Sequence, residues 1–402
     1  MFSRRLPGRF DPNALALLLE EKRRAGARLI DLTESNPTRV GLAPPGEEIA
    51  AALADPANAR HDPDPRGLLS AREAVAAYYA ERGLAIAPDR VVLTTSTSEA
   101  YAHLFRLLGD PGDEFLVPRP SYPLFEPLAA LECARLVPYA LRYDGRWTLD
   151  PAEVARLVGP RTRAVIVVHP NNPTGSFVRA DEADALEALC SERGIALVAD
   201  EVFGDFVIGD AGGSAGDAAP RRASFVDATR ALTFVLSGLS KAAGLPQIKL
   251  AWIVVAGPAA LADGALTRLD WIADAFLSVS TPAMRALPRL LAGRHAYREC
   301  ALARLRANRD LLAARLRARP ELEMLRVEGG WSAVVRVPRT RTEEEWALAL
   351  LARDVLVHPG HFYDFADEAY LVLSLLTRPD DLAEGVERLL ALPPPAGSLP
   401  RS

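Results

Sequence analysis

An α/β fold, with a large, mostly parallel seven-stranded sheet between helices and a smaller α+β unit behind it, follows from two patterns in the 402 residues. The first is a series of short apolar, β-rich runs: VVLTT (91–95), EFLVP (114–118), ARLVPYA (134–140), RAVIVVHP (163–170), IALVADEVF (195–203), LTFVLS (232–237) and LAWIVVA (250–256). Runs that are apolar on both faces and separated by helix-length segments such as 180–193 are expected to be strands of a sheet covered by helices on both sides. The second is a change to helical character after Asp263. The stretch HAYRECALARLRANRDLLAARLRARPELE places apolar residues three and four apart, which predicts one long amphipathic helix.

The smaller unit follows that helix, with strands expected near MLRVEGG, SAVVRVP, DVLVHPG and YLVLSLL. The expected division is an arm over 1–45 that joins the small unit, a large unit over 46–289, and the small unit over 290–392. Residues 393–402 have the Pro and Gly content of a disordered tail, and the Gly-rich insert 209–224 reads as a mobile surface loop.

Hydrophobic residues make up 49% and charged residues 25%, with no apolar run near the ~20 residues that span a bilayer, so no membrane is expected. A net charge of −5 gives no reason to expect nucleic acid. The basic N-terminus lacks the apolar stretch of a secretory signal, and a cytoplasmic location is expected. Cys133, Cys190 and Cys300 are dispersed and odd in number, which suits neither a disulfide framework nor a metal cluster.

Of 47 Lys and Arg residues only Lys22, Lys241 and Lys249 are lysine. A chain that favours arginine keeps a lysine where the job needs an amine that can be neutral, because guanidinium stays protonated. Lys241 follows the run LTFVLS, where a buried strand ends and the catalytic loops of α/β sheets gather. Covalent chemistry on a carbonyl is such a job; a surface lysine is the plain alternative.

Three other strand ends carry polar groups. In VADEVF, Asp200 could be a solvated strand end, a metal ligand or the anion holding a cationic ring nitrogen, and no His or Cys stands at ligand spacing. HPNNPTG (169–175) is a turn by composition, but its adjacent asparagines offer neutral donors to a ligand oxygen. In TTSTSEAYAHLFRLL (94–108), a hydroxyl-rich turn opens a helix; such residues are commonly caps, and the same geometry can hold a phosphate. Neither glycine fingerprint of nucleotide-binding loops occurs, which weighs against a nucleotide-dependent enzyme.

Phosphate turn, aromatic loop (PSYPLF), NNPTG, ADEV and SK with a downstream basic residue occur in that order. In this combination the chain resembles the class I/II aminotransferases of the fold type I pyridoxal 5′-phosphate superfamily, along nearly its whole length. The resemblance implies that Lys241 joins the cofactor as a Schiff base and shuttles the proton, Asp200 pairs with the pyridine nitrogen, Asn172 donates to the phenolic oxygen and Tyr122 stacks on the ring. It further implies that Ser96, Thr97 and Ser98 hold the phosphate, with Ser237 or Ser240, and that the protein is a homodimer with shared sites acting on an amino donor and a 2-oxo acid.

Four positions depart from the family pattern: Phe203 where a tyrosine is common, Lys249 where an arginine meets the phosphate, His61 where a tyrosine reaches the neighbouring subunit, and Val372 where an arginine clamps the substrate carboxylate. Lys249 is expected to face the phosphate. Carboxylate recognition then falls to Ser35, Asn36, Trp331, His361 or Arg378, each with an ordinary structural role as its alternative. The missing arginine also admits a lyase, decarboxylase or racemase on the same scaffold. A ligand-sensing regulator is the rival outside enzymes, and the roughly forty residues ahead of the cofactor-type region are too few for a helix-turn-helix domain.

Overall fold

The computed structural model describes residues 2–7, 10–209, 220–277, 279–367 and 369–393. Most of the Gly-rich insert (210–219) and the tail beyond 393 lie outside the described residues. In chain order the strands are β1 (Ile30–Asp31), β2 (Val91–Thr94), β3 (Glu114–Arg119), β4 (Arg135–Tyr143), β5 (Trp147–Leu149), β6 (Thr162–Val168), β7 (Ala196–Asp200), β8 (Thr233–Gly238), β9 (Ala251–Ala256), β10 (Glu323–Met324), β11 (Ser332–Arg336), β12 (Val355–Leu356), β13 (His358–Pro359) and β14 (Tyr370–Ser374).

All seven apolar runs are strands of one sheet, ordered β2-β9-β8-β7-β6-β3-β4-β5. The stretch from β4 through β3, β6 and β7 to β8 is parallel, and β9 runs against both of its neighbours. Every residue of β7, β8 and β9 is buried, as expected for strands covered on both faces. The expected count of seven becomes eight, because β5 pairs antiparallel with the end of β4 after a turn at Gly145, whose φ is +70°. Three residues are too few to show a period in sequence.

A second sheet, ordered β10-β11-β14-β13, is antiparallel. The N-terminal arm reaches it through β1, which pairs parallel with β12 (Ile30↔Val355). Lys22 on the helix Ala14–Arg24 anchors the arm, donating to the Ala352 carbonyl at 2.9 Å and the Asp354 carboxylate at 2.5 Å. One apolar cluster joins Leu15, Ile30 and Leu32 of the arm to Leu305, Val335, Leu350 and Leu371.

The long helix spans Arg294–Leu316 and stops short of the stretch expected from its apolar spacing. Pro320, lacking an N–H, cannot continue a helical ladder, so the chain turns before it. Because β2, β6, β7 and β8 run the same way, their C-terminal ends share one edge of the sheet, the edge where open α/β sheets bind ligands. Among the described residues no helix is long and apolar enough to cross a membrane, and no group of three His, Cys, Asp or Glu could hold a metal ion.

Candidate active site

A cavity of about 510 Å³ opens between that sheet edge and the smaller sheet. Lys241 enters it from the short helix Leu239–Ala242, directly after β8. Its amine lies 4.5 Å from the centroid of the Trp331 ring and 5.5 Å from that of Phe203. Burial drives the amine down to about 8, against the opposing pull of the Asp200 charge.

Asp200 is the last residue of β7 and is 4% exposed. Its carboxylate accepts from the Tyr101 hydroxyl at 3.0 Å and from the Val202 backbone N–H at 3.0 Å. Burial still pushes it up to about 6, with those two bonds and Lys241 pulling the other way. An anion this poorly compensated would gain from a cationic N–H placed in the cavity.

The two asparagines of the loop after β6 separate into different roles. Asn171 is buried and spends its amide on the turn, donating to the Pro120 carbonyl at 3.1 Å and Thr174 Oγ1 at 2.9 Å while accepting from Ser121 at 3.1 Å. Asn172 lines the cavity, and its Oδ1 accepts from Ser332 at 3.4 Å. Gly175 closes the loop at φ +70°, where a Cβ would stand 2.5 Å from the Gly329 carbonyl oxygen. Only glycine allows that approach, which sets the segment carrying Trp331 against the loop carrying Asn172.

Ser96, Thr97 and Ser98 also line the cavity, at the N-terminus of the helix Thr97–Leu108. Ser96 Oγ caps it, accepting from the Glu99 N–H at 3.1 Å, and Glu99 returns to the Thr95 N–H at 2.6 Å. The remaining first-turn N–H groups and the helix dipole favour an anion there. Tyr122 lines the same cavity; burial and the Asp200 charge push its hydroxyl up to about 12, and a hydrogen bond with Ser98 opposes them.

Residues 27–389 match the family described as aminotransferase class I and II. The chain belongs to that family. It is 28% identical over 288 residues to the glutamate-pyruvate aminotransferase AlaA of Haemophilus influenzae, covering 71% of this chain and 69% of that protein. To an alanine aminotransferase of Mycobacterium tuberculosis it is 28% identical over 378 residues, covering 90% of this chain and 85% of the relative. A solved aspartate aminotransferase from Thermus thermophilus, a single mutant, superposes with a TM-score of 0.82 at 26% identity over 96% of this chain and 98% of the other.

In this aminotransferase family member, Lys241, Asp200, Asn172, Tyr122, Phe203, Ser240, Ser35, Trp331 and the Ser96–Ser98 turn meet in one cavity. Other candidates stand elsewhere. Lys249 is exposed at φ +58° and does not line the cavity. Ser237 is buried, and its hydroxyl has no hydrogen-bond partner among the described residues. His61 is exposed and lines a separate hollow with Leu277 and Met284.

Asn36 spends its side-chain oxygen on the N–H and hydroxyl of Thr38, at 3.1 and 2.8 Å, as a turn residue does. His361 is exposed beside a different hollow, and Arg378 is exposed at the start of the helix Pro379–Leu390. Neither lines the cavity that holds Lys241. Sequence reasoning missed His358, Tyr363, Thr33 and Ser374 in the lining, and Tyr101 behind Asp200. The only signal for His358 was its place in the strand-like DVLVHPG. Tyr101 carried none, since it occupies an ordinary apolar position of a helix.

Proposed function

We propose that this chain is a pyridoxal 5′-phosphate-dependent aminotransferase that moves an amino group, through Lys241, between an amino acid or other primary amine and a 2-oxo acid. The observation that carries the reading is the pairing of a desolvated amine at about 8 with a buried carboxylate at about 6 in one cavity. The residues present fit the cofactor. Lys241 would hold its aldehyde carbon, Asp200 its ring N–H, Asn172 its phenolic oxygen and Tyr122 its face. The first turn of Thr97–Leu108 with Ser96, Thr97, Ser98 and Ser240 would hold its phosphate.

Bound there, the cofactor supplies a carbonyl for the amine and a ring that takes up electrons from the reacting carbon. Once the incoming amine displaces it, Lys241 takes the proton from the substrate's amine-bearing carbon and later returns one on the other side of the exchange. Phe203 and Trp331 keep water from that amine. The exchange balances without an outside oxidant: the donor's C–N and C–H bonds become C=O, and the acceptor's C=O becomes C–N and C–H. Residues 46–289 would carry the cofactor, while 1–45 and 290–392 form the wall that meets the substrate.

A homodimer is part of this reading, because Trp271, Leu277 and Phe276 are 78%, 71% and 50% exposed on one segment, beside the hollow that holds His61. Cofactor absorbance of the purified protein, followed on addition of amino donors, tests the function. Conversion to the aminated cofactor's absorbance supports transfer; consumption of donor without it supports a lyase, decarboxylase or racemase. A Lys241→Ala protein that kept the full absorbance of the covalently held cofactor would overturn the reading. A sedimentation measurement giving only monomer would remove the dimer.

A further inference from the structure

The wall of the cavity facing Lys241 comes from the smaller sheet, and it is built from neutral groups. His358 on β13 pairs in register with Val372 on β14, and Ser332 on β11 pairs with Ser374. All four line the cavity. In a chain whose cations are almost all arginine, no guanidinium occurs among the described lining residues; Asp200 and Lys241 are the charged groups there. With the phosphate site claiming a further anion, a second anion at this wall would meet no cation from the described residues of its own chain to offset its lost hydration.

His358 is oriented rather than free. Its Nδ1 lies 3.0 Å from the Tyr363 hydroxyl, which also lines the cavity. Burial pushes that phenol up to about 12, so it keeps the proton that it can give to Nδ1. In the tautomer where Tyr363 donates, the ring proton sits on Nε2 and the imidazole offers the cavity one neutral N–H. Burial also holds His358 below its usual value, with only the Asp31 charge opposing.

Resting on the amino-transfer reading above, we propose that His358, held by Tyr363, is the specificity-determining residue of this cavity. It donates to a neutral oxygen, that of a carboxamide, ester, ketone or hydroxyl, carried on the carbon next to the reacting one. The substrates are therefore 2-amino amides, esters, ketones or alcohols and their oxo counterparts. Val372 supplies the apolar surface beside that oxygen, where a carboxylate would be left unpaired.

Calorimetry on the cofactor-loaded protein tests this with two probes that cannot react, 3-phenylpropanamide and 3-phenylpropanoate. The amide binds about tenfold tighter than the acid, because the site is built to satisfy one neutral oxygen. His358→Ala weakens the amide about tenfold with little change for the acid, His358→Gln restores part of the loss, and Val372→Arg reverses the preference. As donors, L-phenylalaninamide outruns L-phenylalanine in kcat/KM. Equal or tighter binding of the acid, no amide binding at millimolar concentration, or an unchanged amide affinity in His358→Ala overturns the proposal. The cofactor absorbance keeps the two readings apart: lost absorbance sinks the amino-transfer reading, whereas intact absorbance with acid preference sinks only this one.

Discussion

The Asp200 carboxylate and the Lys241 amine act on each other across the C-terminal ends of two adjacent parallel strands, β7 and β8. Each group is pushed toward its neutral form by burial, and each is pulled back by the other. Asp200 supports the charged form of Lys241, so Asp200→Asn should move the amine below about 8. Labelling of the cofactor-free protein with an amine-selective reagent checks it: the wild-type rate rises with pH through about 8, and the variant's rise lies at lower pH. Amino transfer by the same variant should fall on the order of 10² to 10⁴-fold.

Asn171 and Asn172 are adjacent, and their substitutions should fail in different ways. Asn171→Ala strips partners from the Pro120 carbonyl and the Ser121 hydroxyl in a buried turn, and should cost roughly 1–3 kcal/mol in denaturant unfolding. Asn172→Ala leaves that turn intact. Its thermal midpoint should stay near wild type while the cofactor's absorbance maximum shifts.

Gly175→Ala should be more damaging than its size suggests. The backbone there sits at φ +70°, and the new methyl would meet the Gly329 carbonyl at 2.5 Å. A loss of roughly 1–3 kcal/mol is expected, together with weaker cofactor retention as the Trp331 segment is pushed away. Unaltered unfolding and retention would show that the two loops do not depend on this contact.

Glu201, next to Asp200 and 1% exposed, is held up to about 7 by burial, with Arg82, the Phe225 N–H and the Ser224 hydroxyl opposing. Between its ordinary value of 4.5 and about 7 the folded state binds a proton that the unfolded chain does not. Stability from this group therefore falls as pH rises through that window. Thermal unfolding of Glu201→Gln against wild type from pH 5 to 8 should show wild type losing ground as pH rises. A constant difference would sink the idea.

Much of this protein was determined by local sequence. Seven strand positions follow from runs of buried residues, and the chemistry at four strand ends follows from residue type: an amine kept as lysine in an arginine-rich chain, a carboxylate, an amide and a hydroxyl turn. Those are properties of short segments, so they survive being read one segment at a time. Which neighbour faces the cavity is a different kind of fact. Asn172 rather than Asn171 lines it because Asn171 is consumed by Pro120 and Ser121, some fifty residues away. His358 rather than His361 lines it because β13 pairs with β14 in the register that sets His358 against Val372. The helix around Tyr101 meets the site through its bond to Asp200 at the end of β7, and the arm carrying Ser35 is tied down by pairing with β12. Tertiary packing decided these points, because side-chain direction at a strand or turn is fixed by its remote partner and not by its own sequence.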